Sequence, residues 1–387
     1  MGKFLKISLR ILVVLIIILA AVGFWQREKI MRLLAVNSLF SEEKIVNNFS
    51  HMDSMFLTTP LDIGDGAASE LPIGNPAPAV EGLDDWIKER SVTALVVLKD
   101  GEIVTEQYYQ GTGQDDLRIS WSVAKSYLAD LLGILVAEGK IGSLDEQVVK
   151  YAPHLKGSAY EGATIRNVLN MASGVKFNED YLDFNSDINK MGRVVALGGT
   201  LDDFAAGIKE RENQPGTVWQ YVSIDTHVIG MVIRGATGRS IPDLLSEKIL
   251  LPLGLEKTPY YITDGSGVAF VLGGLNMTTR DYARFGLMNM NGGKWNGKQI
   301  VPQDWIEAST IPSAPTAKGH IGYGYQWWIP TGAPKGEYMA RGVYGQYIYI
   351  NTGLGVVIAT NAADRKFRED GVADQNIAMF RKIAAAL

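Results

Sequence analysis

Ile119-Ser120-Trp121-Ser122-Val123-Ala124-Lys125-Ser126-Tyr127 is the stretch on which the rest of the chain turns. A polar lead-in through Gln114, Asp115 and Asp116 precedes it. Tyr127, Leu128, Leu131, Leu132, Leu135 and Val136 follow at helical spacing. Ser122 therefore falls at or near a helix N-terminus, and Lys125 one turn later on the same face. A serine hydroxyl is a weak nucleophile that needs a base. A lysine serves as one once burial lowers its pKa. Backbone N–H groups at a helix start stabilise a developing oxyanion. Taken alone, Ser-x-x-Lys is equally an N-cap followed by a solvated lysine, so the remainder of the chain has to decide.

Working outward, Thr93–Leu98 and Glu102–Tyr109 read as strands joined at Lys99-Asp100-Gly101, a hairpin. Asp84–Arg90 is a short predicted helix. Residues 140–260 read as mainly helical, with helices over Thr164–Met171, Asp225–Thr237 and Pro242–Ile249 and a polar, aromatic loop over Phe177–Asp187. Arg280–Asn291 is another helix. Tyr323–Ile329 reads as one strand, Tyr344–Asn351 and Val356–Thr360 as a hairpin, and the region from about Asp374 as a last helix. Strands near both ends with a helical middle predict an α/β (α+β) fold: a central, mostly antiparallel sheet flanked by helices, plus a mainly helical subdomain.

The 387 residues, 47% hydrophobic, suffice for a large core. A net charge of −5 without a basic block argues against nucleic acid as a partner. The absence of cysteine excludes disulfides and thiolate metal sites, and His51, His154, His227 and His320 lack ligand spacing, so neither metal nor other cofactor is expected. Residues 1–32 carry Lys3, Lys6 and Arg10 ahead of the uncharged run Ile11–Trp25. A cleaved signal peptide would need Ala21-Val22-Gly23 as its processing site. An uncleaved signal anchor fits the long run and the interfacial pair Phe24-Trp25 better. The expectation is one anchor in a bacterial inner membrane, with a periplasmic or extracytoplasmic body. Residues 33–80, rich in Asn, Ser, Gly and Pro, read as an irregular connector wrapping a body at 81–387.

Three stretches then fall into order: Ser122-Val123-Ala124-Lys125, Trp219-Gln220-Tyr221-Val222-Ser223, and Ala340-Arg341-Gly342-Val343-Tyr344-Gly345-Gln346. Their sequence and spacing resemble the serine β-lactamase and penicillin-binding-protein superfamily, with its Ser-x-x-Lys, Tyr-x-Asn and Lys-Thr-Gly motifs. Among its branches the likeness is strongest to class C-like esterases and aminohexanoate-dimer (nylon oligomer) hydrolases, which show Tyr-x-Ser and a Gly-x-x-Gly-Gln strand. The resemblance implies a β-lactamase-like fold and a serine hydrolase acting on a small-molecule or short-peptide amide or ester. It implies Ser122 as nucleophile, Lys125 as base, alone or sharing the proton with Tyr221, Tyr221 as proton relay to the leaving group, and the N–H groups of Ser122 and Val343 as the oxyanion hole. Trp121, Tyr181, Asp187, Ser223, Asn276, Arg341, Gly342 and Gln346 are the expected substrate contacts, and Glu179 and Asp180 are further polar candidates in the same loop as Tyr181. Two departures stand out: Ser223 occupies the Asn position, and Ala340-Arg341-Gly342 replaces Lys-Thr-Gly, removing the usual cradle for a β-lactam carboxylate. A D-alanyl peptidase acting on peptidoglycan peptides, or a catalytically silent binding or sensor module, are the alternatives on the same fold.

Overall fold

The structure, a computed structural model, describes residues 2–387; Met1, part of the expected anchor, lies outside them. Seven antiparallel strands form the main sheet in the order Glu102–Tyr108, Val92–Lys99, Val356–Ala362, Gln346–Asn351, Glu337–Gly342, Trp327–Ile329, Gly322–Gly324. It is assembled from the two ends of the body. The first hairpin turns at Asp100 and Gly101, both with positive φ (49° and 91°), the twist that matches two paired strands. Val92–Leu98 is buried on both faces, which is why its sequence is almost uninterruptedly apolar.

Each face of the sheet is covered by helices. Thr279–Met290 lies on one, so close that a Cβ at Gly286 would stand 2.6 Å from Val357 Cγ1 and 2.7 Å from Ile348 Cγ2. Leu83–Glu89 and Val372–Ala385 cover the other, with Trp86, Tyr347, Tyr349 and Phe380 in the seam. Helix Ala124–Ala137 runs through the main core and is buried nearly all round, the reason it carries apolar residues on every side. Asp130 within it accepts from Asn289 Nδ2 at 2.9 Å, and burial pushes its carboxyl up to about 7.

The region between the two ends of the sheet contains Ile165–Leu169, Asp187–Ala196, Leu201–Gly207 and Ser223–Thr237. Thr164 caps the first through a reciprocal pair with Asn167, and Gly238 in the left-handed region (φ 67°) closes the last. A second antiparallel sheet, Thr58–Pro60, Tyr260–Ile262, Leu275–Met277 and Arg118–Ile119, leads directly into Ser120.

Three sequence expectations need correction. Tyr323–Ile329 is a tight hairpin of two strands, because Gln326 adopts φ 63° between them. Ala340-Arg341-Gly342 closes the strand Glu337–Gly342, and the next strand starts only at Gln346. Residues 33–80 are far from irregular throughout. They include the end of helix Arg27–Ser38, helix Ile45–Ser50 and strand Thr58–Pro60, and Leu39, Ile45, Phe49, Met52 and Leu61 are buried in the main core.

Helix Gly2–Trp25 precedes these elements. Its segment Phe4–Trp25 has mean hydropathy 2.8, packs against nothing in the body, and is long and apolar enough to cross a membrane. The adjoining helix Arg27–Ser38 is tied to the body by Arg32 Nε, which donates to Ala196 O at 3.0 Å.

Candidate active site

Strand Arg118–Ile119 delivers Ser120, whose N–H bonds Leu275 O at 2.8 Å. Trp121 then takes φ 42°, a left-handed conformation that costs a non-glycine residue about 1–3 kcal/mol. The rest of the turn sustains it: Trp121 packs among Phe40, Phe49 and Tyr344. The outcome of this kink is Ser122 in the first turn of the core helix system, Trp121–Val123 running into Ala124–Ala137.

The end of strand Glu337–Gly342 abuts this turn. A Cβ at Gly342 would meet Ser120 O at 2.7 Å and the Ser122 nitrogen at 3.1 Å, so only glycine lets the two backbones approach. Beyond it the chain bends through Val343–Gly345, with Tyr344 at φ 60° and Gly345 at φ 88°. Gln346 holds that bend. Its Nε2 donates to Tyr344 O (3.1 Å) and Ala362 O (2.7 Å), and its Oε1 accepts from Asn361 Nδ2 (3.0 Å). The expectation that Gln346 touches substrate is therefore corrected: the side chain is buried and its polar atoms are spent on the turn beside Val343.

Lys125 is 1% exposed. Its Nζ donates to Leu272 O at 2.6 Å and stands 5.6 Å from the centre of the Tyr221 ring. Burial pushes its pKa down to about 7, against the opposing pull of the Glu179 and Asp225 carboxylates. Tyr221 comes from the loop ahead of helix Ser223–Thr237. Gln220 N–H bonds Met171 O at 2.9 Å, and the Tyr221 ring stacks on Trp328 at 5.3 Å. Burial, then Glu179, raise the Tyr221 hydroxyl above its ordinary pKa, while the Ser122 hydroxyl and Arg341 pull the other way. Tyr221 thus carries its proton at neutral pH.

Two acids give this site its electrostatics beyond the three motifs. Glu179 Oε2 accepts the Ser223 N–H at 3.0 Å and Glu179 Oε1 the Tyr181 hydroxyl at 2.7 Å; the Ser223 hydroxyl also bonds this carboxylate. It sits at the N-terminus of helix Ser223–Thr237, where an anion is favoured. Asp225, fully buried, accepts from the Tyr160 hydroxyl at 2.7 Å, and burial pushes it up to about 8. Neither has a spacing that marks it in sequence. The acidic pair Glu179-Asp180 was the one available signal for the first, and Asp225 is indistinguishable from any polar residue of an amphipathic helix.

Two cavities meet at Ser122. The larger, about 650 Å³, is lined by Glu179, Tyr221, Trp328, Arg341 and Arg368 among others. The Arg341 guanidinium lies 5.3 Å over the Trp328 ring. The smaller, about 120 Å³, is walled chiefly by apolar side chains, with Trp121 and Ser223 at its edge. Ser122, Tyr181 and Val343 line both. Two further expected contacts are corrected. Asp187 faces neither cavity: its carboxylate accepts Asn178 N–H at 2.8 Å and pairs with Lys190 at 3.1 Å, bracing the loop that carries Glu179. Asn276 is fully buried in the second sheet, where its Nδ2 donates to Gly274 O at 2.9 Å. Among the described residues no three His, Asp or Glu side chains gather to hold a metal ion.

A hydroxyl pair over a buried amine, at the junction of an antiparallel sheet and a helical region, defines a class. A family model for Beta-lactamase matches residues 83–379, and the chain belongs to that family, which includes hydrolases. It is 30% identical over 289 residues to the 6-aminohexanoate-dimer hydrolase of Paenarthrobacter ureafaciens, covering 71% of this chain and 73% of the relative. A Bacillus anthracis homologue of 6-aminohexanoate-dimer hydrolase superposes with TM-score 0.80 at 24% identity, covering 89% and 95% of the two chains. A class C β-lactamase in complex with cefoxitin superposes with TM-score 0.61 at 18% identity, covering 79% and 96%. These two structures are likenesses of fold.

Proposed function

We propose that the chain is a serine hydrolase that cleaves an amide or ester bond through an acyl-Ser122 intermediate. The observation that carries this reading is the placement of Ser122 and Tyr221 at one cleft, with the buried Lys125 amine 5.6 Å from the centre of the Tyr221 ring; burial pushes that amine down to about 7. Lys125 takes the Ser122 proton as the oxygen attacks the carbonyl carbon. The oxyanion is received by the N–H groups of Ser122 and Val343; the close approach of Gly342 to the Ser122 nitrogen supports this pairing. Tyr221, protonated, gives its proton to the departing nitrogen or oxygen and is reprotonated through Lys125. Water entering from the cleft then reverses the sequence and frees the acid.

The relative's name points to an amide between small units, and Ala340-Arg341 in place of the Lys-Thr of Lys-Thr-Gly disfavours β-lactams as the main substrate. Glu179 acts through charge, favouring the protonated forms of Lys125 and Tyr221; Gly342 acts through its missing side chain.

The helix Gly2–Trp25 is read as a membrane anchor. Its aliphatic side chains would each forfeit about 1.5–3 kcal/mol if left in water, and a bilayer removes that cost. The body, residues 81–387, then lies on the extracytoplasmic side, with residues 33–80 packed onto it.

The test is a panel of small amides and esters assayed with wild type and Ser122→Ala. Turnover by wild type that vanishes in Ser122→Ala supports the reading. Equal turnover in both removes Ser122 from the reaction.

A further inference from the structure

The two cavities at Ser122 differ in kind, and the proton path assigns them. Tyr221, the donor to the leaving group, lines only the larger one, as does Arg341. The leaving group therefore departs on the charged side. The other substituent of the carbonyl carbon must point the opposite way, into the cavity that shares Ser122 and Val343 but not Tyr221. That cavity is lined by Leu39, Phe40, Met52, Met191, Phe270 and Leu272, and no charged side chain reaches it. Its walls come from the segment ahead of the main sheet, from helix Asp187–Ala196 and from residues 262–273, and Ser122, Ser223, Val343 and Tyr344 of the three motifs close it together with Trp121.

Resting on the acyl-Ser122 reading, we infer that the small apolar cavity is an acyl pocket, and that this hydrolase releases short acids whose chain carries no further charge from polar amines or alcohols seated in the larger cleft. Size sets the class. An apolar cavity of about 150 Å³ accepts a benzene ring, so about 120 Å³ suits an aliphatic chain of roughly four to six carbons or a compact ring. An ammonium or carboxylate at the end of that chain would be buried with no charged side chain lining the cavity to pair with it, at a heavy desolvation cost. The polar side agrees: Glu179, Asp180, Arg341 and Arg368 line the larger cleft, and an Asp180–Arg368 pair at 3.1 Å crosses it.

The experiment uses the full-length protein in detergent. Values of kcat/KM are measured for p-nitrophenyl esters from acetyl to dodecanoyl and for the ω-amino hexanoyl ester. Fluorophosphonate labelling of Ser122 is followed in parallel. The expected profile rises about fourfold per methylene, the ratio that about 0.8 kcal/mol gives, peaks between butanoyl and hexanoyl, and falls beyond hexanoyl. The ω-amino ester should run at least about tenfold below hexanoyl. Gly192→Phe fills the pocket from a helix position where an added Cβ meets nothing within 4 Å, and an unchanged Tm checks that the fold accepts the ring. It should cut the hexanoyl-to-acetyl ratio at least about tenfold while Ser122 still labels. Met191→Ala, which enlarges the pocket, should move the optimum to longer chains. A flat chain-length profile, or preference for the ω-amino ester, with Ser122 labelled normally, overturns the acyl pocket and leaves the hydrolase standing. No labelling and no turnover of any ester overturns both.

Discussion

The two walls of the cleft are made differently. The floor is backbone-built: the Ser122 turn, the Gly342 strand end and the Gln346-braced bend are locked to the second sheet and to each other, and Lys125 is pinned to Leu272. The opposite wall is a polar loop, 178–186, held by short-range bonds from Asp187 and by one carboxylate, Glu179, clasping Ser223. A rigid floor fixes where reacting atoms sit, and a charged loop sets which proton each group holds. Reaction geometry and electrostatic tuning are thus carried by separate parts of the chain, and substitutions should divide accordingly.

The largest losses belong to the floor. Ser122→Ala should abolish turnover of every substrate found, and Lys125→Ala should lower kcat by about 10²–10⁴-fold, the usual contribution of a positioned base. Gly342→Ala should follow. A methyl group 2.7 Å from Ser120 O must displace the strand, and a shift near 1 Å at the oxyanion costs about 10²-fold. Tyr221→Phe should reduce amide hydrolysis strongly and p-nitrophenyl ester hydrolysis little, because nitrophenolate leaves without a proton.

The loop should yield smaller, pH-dependent effects. With Lys125 at about 7, kcat/KM of the wild type should climb as pH rises through 7. Glu179 favours the charged lysine, so Glu179→Gln should move that limb to lower pH, and a limb that moves upward would contradict the electrostatic role given to Glu179. Asp187→Asn, behind the loop and lining neither cavity, should change kcat/KM less than about twofold, since an amide oxygen can still accept the Asn178 N–H.

Stability should show the reverse order on the floor. The folded pKa of Lys125 lies below its unfolded value, so the unfolded chain holds the extra proton between about pH 7 and the ordinary lysine range. The cost of burying the charge is present in full below pH 7 and fades as pH rises. Lys125→Met should therefore raise Tm most below pH 7, with the gain shrinking at higher pH.

What the sequence disclosed follows the same division. The Val92–Tyr108 hairpin was legible because β-branched residues flank an Asp-Gly turn. The Gly322–Ile329 hairpin was not, because its turn uses Gln326 at positive φ, where no glycine announces it. Residues 39–61 looked like a linker by composition, yet Leu39, Phe49 and Met52 find burial that only the assembled body provides. In the site, Ser122, Lys125 and Tyr221 stood out through motif order. Glu179 reads only as a polar candidate of its loop and Asp225 not at all, since their influence comes from burial and neighbours distant in sequence. Gln346 and Asn276 were read as contacts with substrate because a motif places a residue near a site without telling which way its side chain points.

The most direct test of the central claim is the intact mass of wild type and Ser122→Ala after exposure to a fluorophosphonate. A single adduct on wild type and none on Ser122→Ala is the predicted result. An adduct of equal yield on both proteins, or on neither, would contradict a reactive Ser122 at the meeting point of the two cavities.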